Sequence, residues 1–446
     1  MWKVIFTKKL FDELNEFLFQ TTNENGCFLL GNSFTTKKGK NTVLIISIIK
    51  PNKNSWNYNT EHSLAPNSSF INHAVSLAEE QNSNLIFVHT HPHSLHPPTF
   101  SYIDKKTNRE IFENLSEILD KPLGSLVFSS RGICGVMYKE GKIMPVSRIT
   151  ISGHILSEYP GIGFESKTII KKKFDRQNNA IGEPQQNLLQ QMTVSIIGSG
   201  GTGSAAAVQL ARMGIKRLQL FDYDIITETN VPRVYGSKDS DCGKPKVQVL
   251  KDHIESFSNT KVDAYQVDIT KADVLAELLD SNAIFACTDN LTSRSQLNDI
   301  SINYSIPLID IGCRIDLNDN KTIDQAIVKV QVVTPDDACL WCTEALNAKI
   351  ILQESLSEQE KQSLAKEGYY ESIENQPSII TLTTRAASMG VDKLLSLIGV
   401  FGNEYNSRTQ IELKDGIMIE DTPKIKKQCI CRKQKLPTKI EVINYP

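Results

Sequence analysis

Residues 194–204 read V-S-I-I-G-S-G-G-T-G-S, and S-A-A-A-V-Q-L-A-R-M continues from Ser204. A short apolar run breaks into four glycines and then into strong helix formers, so the stretch is expected to fold as strand, tight loop and helix. Such a loop suits phosphate: Gly198, Gly200, Gly201 and Gly203 let the backbone come close to a ligand, and the helix N-terminus offers unpaired N–H groups and a partial positive charge. Asp222 ends the next apolar run, L-F-D-Y-D. It is placed to bind ribose hydroxyls.

The spacing of Gly198, Gly200 and Gly203 with a downstream acid also fits a dinucleotide site. The residues beyond it favour ATP. Asn230, Arg233 and Lys246 add an amide and two cations, which match a triphosphate better than a pyrophosphate held by backbone alone. Asp289, in F-A-C-T-D-N at 285–290, follows a buried-strand run and is placed to hold Mg²⁺.

In this order, G-x-G-G-x-G, D-x-D-x(5)-N-x-x-R, G-x-P-K and C-T-D-N resemble the ThiF/MoeB and ubiquitin-activating superfamily, as does Phe174-Asp-Arg176-Gln177. The resemblance implies adenylation of the C-terminal glycine carboxylate of a ubiquitin-fold protein. By it, Asp222 binds ribose, Asn230, Arg233 and Lys246 bind the phosphates, Asp289 binds magnesium, and Arg176 reaches in from the other subunit of a homodimer.

With 446 residues and 40% apolar content, two or three domains with buried cores are expected. A net charge of −2 argues against a bulk nucleic-acid binder. No apolar run approaches membrane-spanning length and the N-terminus lacks a signal-peptide core, so a cytoplasmic chain with no membrane partner is expected. Nine cysteines in such a compartment should be reduced. Cys339-Leu-Trp-Cys342 and Cys429-Ile-Cys431 form two close pairs, the ligand set of a structural zinc.

The N-terminal half opens with a helix over 8–21, strands over 27–31 and 42–49, a helix over 69–81 and a short buried strand over 85–88. That strand runs into His89-Thr-His91-Pro92. Histidines two apart on a strand point to the same side, and Asp104 lies close enough downstream to join them. Two histidines and a carboxylate describe a catalytic zinc with a place left for the attacking water.

With Ser101-x-x-Asp104 behind it and E-N-G-C-F-L-L-G upstream, the motif resembles the JAMM (MPN⁺) metalloproteases over residues 1–145. That resemblance implies a JAB-type α/β domain, His89, His91 and Asp104 as ligands, Ser101 orienting the oxyanion and Glu24 as general base. The loop between His91 and Ser101 is longer than the family's; the spacing would be regular if His91 and His93 were the pair. His89 and His91 are preferred because His89 follows the strand and Pro92 falls where the family has it.

The expected organisation is a JAMM domain over 1–150, a linker over 151–173 marked by E-Y-P-G-I-G, and a Rossmann-like ThiF-type domain with a mainly parallel sheet over 174–446. The class is α/β. Both domains resemble handlers of ubiquitin-like C-termini, as in the bacterial ubiquitin-like conjugation and antiphage operons, which implies a ubiquitin-like partner and a conjugating enzyme. A rival is sulfur-carrier activation for cofactor or cysteine synthesis. It draws support from the absence of cysteine between Cys342 and Cys429, where ubiquitin-activating relatives carry their thioester residue. For conjugation without that cysteine, direct passage of the adenylate to a partner's nucleophile is preferred; hydroxyls at Ser355, Ser357, Ser363, Ser372 and Ser378, or a displaced thiol such as Cys313, are the other acceptors, and Cys242 and Cys287 read as packing residues. A non-enzymatic scaffold is the remaining alternative.

Overall fold

The computed structural model describes residues 1–161, 170–357, 359–360 and 377–432. The chain divides into two compact units, with the boundary between residues 161 and 170.

The first unit runs β1 (Trp2–Thr7), α1 (Lys8–Leu18), β2 (Gly26–Thr35), β3 (Asn41–Ile49), β4 (Trp56–Asn59), β5 (Leu64–Pro66), α2 (Ser68–Glu80), β6 (Asn84–Thr90), α3 (Tyr102–Ser116), β7 (Leu123–Ser129), β8 (Gly132–Lys139), β9 (Lys142–Ser152) and β10 (Ser157–Pro160). Its large sheet has the order β1-β3-β2-β6-β7-β8-β9-β10, and β1 also pairs with β9, so the sheet closes on itself as a barrel. Strand alternation gives it two cores. Cys27 and Leu29 of β2 pack with Trp2, Val4, Phe6 and Leu14 on one side. Phe28 and Leu30 face the other way, onto Phe70 and Ala74 of α2 and Phe112 of α3. Strand β10 lies within the segment expected as linker.

The second unit runs α4 (Asp175–Ile181), α5 (Glu183–Leu189), β11 (Thr193–Ile197), α6 (Gly201–Met213), β12 (Arg217–Phe221), α7 (Lys246–Phe257), β13 (Lys261–Tyr265), α8 (Ala272–Leu275), β14 (Ala283–Ala286), α9 (Leu291–Tyr304), β15 (Leu308–Leu317), β16 (Ile323–Val333), α10 (Ala348–Glu354), α11 (Ile380–Leu397), β17 (Arg408–Glu412) and β18 (Ile417–Asp421). Strands follow the order β13-β12-β11-β14-β15-β16-β17-β18. The first five are parallel, but β16, β17 and β18 are antiparallel. The mainly parallel character expected holds over β13 to β15 and gives way to an antiparallel end at β16 to β18. The physical reason is connection length: tight returns join β15 to β16 and β17 to β18, and short returns make antiparallel pairs.

From β11 the chain winds outward to β12 and β13, then returns to place β14 on the other side of β11. The order therefore reverses between β11 and β14, which is where open α/β sheets bind ligands. Among the described residues no helix is long and apolar enough to cross a membrane.

Candidate functional sites

At that reversal Gly198 has φ +90°, and a side chain there would meet the Cys287 carbonyl oxygen at 2.6 Å. A Cβ on Gly203 would lie 1.8 Å from the Gly198 carbonyl oxygen. Only glycine permits this closely folded turn. Gly200 caps α6 with no side-chain hydrogen bond, so the first-turn N–H groups have no side-chain cap.

Asp222 leaves the neighbouring strand and accepts from the Ser199 N–H at 2.6 Å and the Asp224 N–H at 2.9 Å. Burial raises its carboxyl above the ordinary value, while those N–H groups and Lys246 oppose the shift. Tyr223 is bordered by acids: its phenol is pushed up by burial and by the carboxylates of Asp224, Asp289, Asp222 and Asp268. Such a concentration of negative charge suits a divalent cation.

The structure brings Asp222, Lys246 and the glycine loop together. Lys246 is buried and its ammonium lies 2.7 Å from Asp224, a residue to which the sequence reading gave no role. Asn230 is buried, with its Oδ1 accepting from the Thr227 N–H at 3.3 Å. Arg233 donates to the Thr229 carbonyl at 2.5 Å, and Asp289 is exposed beyond β14. Arg176 is exposed on α4. Its neighbours have structural work: Phe174 lies against Gly214, and Gln177 donates to the Met213 carbonyl at 2.9 Å, finishing the C-terminal end of α6.

Two further residues were missed. Arg294 of α9 donates to the carbonyls of Thr288 and Ile311, each at 3.1 Å. Glu354 accepts from the N–H groups of Leu291 and Thr292 at 2.9 and 2.7 Å, closing the N-terminus of α9 beside Asp289. The signal for Arg294 was a lone cation in a helix after C-T-D-N; the signal for Glu354 exists only in three dimensions.

Of the candidate acceptors, Ser363 and Ser372 lie outside the described residues. Ser355 donates to the Leu352 carbonyl, Ser357 bonds to Glu360, and Ser378 is exposed. Cys313 Sγ lies 3.9 Å from Thr202 Oγ1, and burial raises its thiol; burial does the same to Cys287, while Cys242 is exposed.

The four expected zinc thiols converge. Cys339 Sγ is 3.7 Å from Cys342 and 3.5 Å from Cys429, and Cys342 is 3.8 Å from Cys431. Bonds of about 2.3 Å to a tetrahedral zinc imply sulfur separations of about 3.8 Å, so the donor set fits that metal. The Lys426 N–H also donates to Cys342 Sγ at 3.4 Å, which stabilises thiolate charge.

In the first unit His89, His91 and Asp104 offer ligand atoms that all lie within 4.8 Å of one another. His89 Nε2 is 3.5 Å from Asp104 Oδ1, and His91 Nε2 is 3.6 Å from Asp104 Oδ2. Both ring nitrogens of His89 are buried without a hydrogen-bond partner among the described residues, an arrangement that a metal would relieve. His93 is engaged elsewhere, its Nε2 3.0 Å from the Thr22 carbonyl oxygen.

Glu24 precedes β2 beside His89, because β2 and β6 pair Gly26 with His89. Its carboxylate lies 3.9 Å from His91, and burial followed by the Asp104 charge raises its pKa to about 7. Burial would raise Asp104 as well, but His89 and the Ser101 hydroxyl and N–H hold it well below the usual range. Ser101 caps α3: its Oγ accepts from the Asp104 N–H at 3.1 Å and its own N–H donates to Asp104 at 2.7 Å. In the structure this serine therefore fixes a candidate ligand as well as standing near the site.

The second unit, with its glycine loop at the sheet reversal and its acids and cations around it, is a nucleotide-binding α/β unit of doubly wound type. The chain belongs to the ThiF family, whose model matches residues 174–433, more than half of the sequence. Among curated proteins it is 33% identical over 128 residues to the molybdopterin-synthase adenylyltransferase of Escherichia coli K12, covering 28% of this chain and 50% of that protein. It is 30% identical over 144 residues to the adenylyltransferase and sulfurtransferase MOCS3 of Anopheles gambiae, covering 32% of each. The chain thus spans a third to a half of these relatives' length. Among solved structures, E. coli MccB with ATP is similar at a TM-score of 0.46 and 20% identity, over 58% of this chain and 74% of that one.

Proposed function

We propose that the second unit adenylates the C-terminal carboxylate of a small ubiquitin-fold protein, and that activation of a sulfur carrier is its first role. The observation that carries this reading is the constellation of glycine loop, Asp222, Lys246 and Asp289 at the reversal of the sheet, in a ThiF chain whose curated relatives are named as adenylyltransferases for molybdopterin synthase and as sulfurtransferases. A carboxylate oxygen attacks the α-phosphorus, pyrophosphate leaves, and an acyl-phosphate anhydride remains.

The chain's residues bind and orient. The α6 N-terminus receives phosphate, Asp222 takes the ribose hydroxyls, and Lys246, Asn230 and Arg233 hold the triphosphate once Lys246 exchanges Asp224 for phosphate oxygen. Asp289 would hold magnesium, which would supply positive charge beside the phosphates when bound. Arg176 of a second copy would complete the site in a homodimer.

The first unit is proposed as a zinc (iso)peptidase acting on the same class of C-terminus, on the strength of the converged His89, His91 and Asp104 and the raised Glu24. Zinc there supplies Lewis acidity; Glu24 takes the proton from the attacking water and His89, His91 and Asp104 hold the metal. This pairing favours a second reading, in which the activated protein is conjugated through a partner enzyme and removed again.

The test is intact-mass analysis of the chain with ATP, magnesium and a panel of ubiquitin-fold and sulfur-carrier proteins. An adenylated carrier with no thiol-labile adduct on the chain supports sulfur-carrier activation. A covalent adduct released by dithiothreitol supports conjugation instead, and absence of adenylate with every carrier defeats both.

A further inference from the structure

Register sets Lys329 of β16 directly across from Gly312 of β15, on the sheet face opposite buried Val328 and Val330. Where Gly312 lacks a side chain, the three nearest atoms to a built Cβ all belong to the Arg294 guanidinium, at 3.3 to 3.9 Å. On the other side, Arg408 of β17 lies opposite Gln331 and is paired with Asp421. Arg294 has Asp310 at 3.5 Å. Lys329 is half-buried and, among the described residues, has no ion pair or hydrogen bond. Burial and then Arg408 hold its ammonium below the usual lysine range; Arg294 acts the same way, and the carboxylates of Asp310 and Asp421 oppose it. A half-buried cation between two guanidinium groups is costly unless an anion joins it.

The position connects directly to the nucleotide site. Arg294, which borders Gly312, bonds the carbonyl of Thr288, next to Asp289.

We propose that Lys329, across from Gly312 and beside Arg294, receives an acidic side chain of the polypeptide being activated, a few residues before its reacting C-terminus. This rests on the adenylation reading and narrows its substrate class to tails carrying an Asp or Glu at one fixed position. Lys329 supplies the charge that selects such a tail.

The probe is a set of seven-residue peptides ending in glycine, with Glu, Gln or Lys at each internal position in turn, assayed by ATP–pyrophosphate exchange with the full chain. At one position the Glu peptide should exceed the Gln peptide in kcat/KM roughly tenfold or more. Lys329→Gln should erase that preference and Lys329→Glu should turn it toward Lys, with the KM for ATP unchanged. An identical peptide ranking in all three proteins overturns the inference, as does a rise in the KM for ATP with the ranking intact, which would assign the cation to the nucleotide. No exchange by the wild-type chain with any peptide or with any ubiquitin-fold protein would instead overturn the adenylation reading beneath it.

Discussion

Lys246 separates two explanations of a charged residue near a ligand. Its ammonium is buried while its partner Asp224 is nearly half exposed, at 47% of the side chain. A pair with one solvated member contributes little to stability. A lysine that clamps a triphosphate contributes much more to the transition state. Lys246→Met is therefore expected to change the unfolding free energy by less than about 1 kcal/mol and to lower adenylate formation roughly a hundredfold or more. Denaturant melts and single-turnover rates on the same preparation check both; a large stability loss with an intact rate would make the pair merely structural.

The glycine loop, Asp222, His89, His91 and Asp104 stand in short motifs that a sequence displays, and the structure brings the two histidines and Asp104 together. Asp224 was in plain view in L-F-D-Y-D yet unassigned, since only the fold shows that Lys246 returns to it. Ser101 is expected to orient an oxyanion, and its hydroxyl also caps α3; S-x-x-D carries both uses, since it is also a helix-start signal.

At the scale of elements, the two cysteine pairs join the segment after β16 to the chain after β18. Cys339 and Cys429 stand ninety residues apart in sequence and their sulfurs 3.5 Å apart in space. Closing so long a loop by metal makes binding part of folding. Cys339→Ser is expected to remove one equivalent of zinc and lower the melting temperature of the second unit by roughly 6–12 °C, taking the loss as about 3 kcal/mol. Metal analysis beside calorimetry reads this; full zinc content in the variant would show that the thiols do not share an ion.

Elements with strong periodicity were readable: the helix expected over 69–81 is α2, Ser68–Glu80. Strands β16 to β18 were not. Ile323–Val333 begins with exposed polar positions before its apolar alternation starts, and Ile417–Asp421 is exposed along almost its whole length, so neither carries the buried-strand pattern. Lys329 was illegible for the same reason: its meaning lies in its register against Gly312, which a sequence does not display.

At the scale of the whole molecule, the chain carries two sites that share no residue: a histidine–carboxylate cluster in the first unit and a nucleotide constellation in the second. Chemistry at one should not need the side chains of the other. Glu24→Gln is expected to retain zinc in the first unit and lose peptide-bond cleavage, with adenylation unchanged, because a general base acts on water without holding the metal. His89→Ala should lose both zinc and cleavage. If His93→Ala loses the metal while His89→Ala keeps it, the ligand pair is wrong.

The central claim is that residues 174–433 use ATP to activate a carboxylate, and pyrophosphate exchange into ATP measures that step alone. With a cognate ubiquitin-fold protein present, the wild-type chain is expected to exchange label, and Asp289→Ala to fall by roughly a hundredfold or more. Undiminished exchange by Asp289→Ala would contradict the magnesium assignment, and reduction of a nicotinamide cofactor in place of exchange would contradict the claim itself.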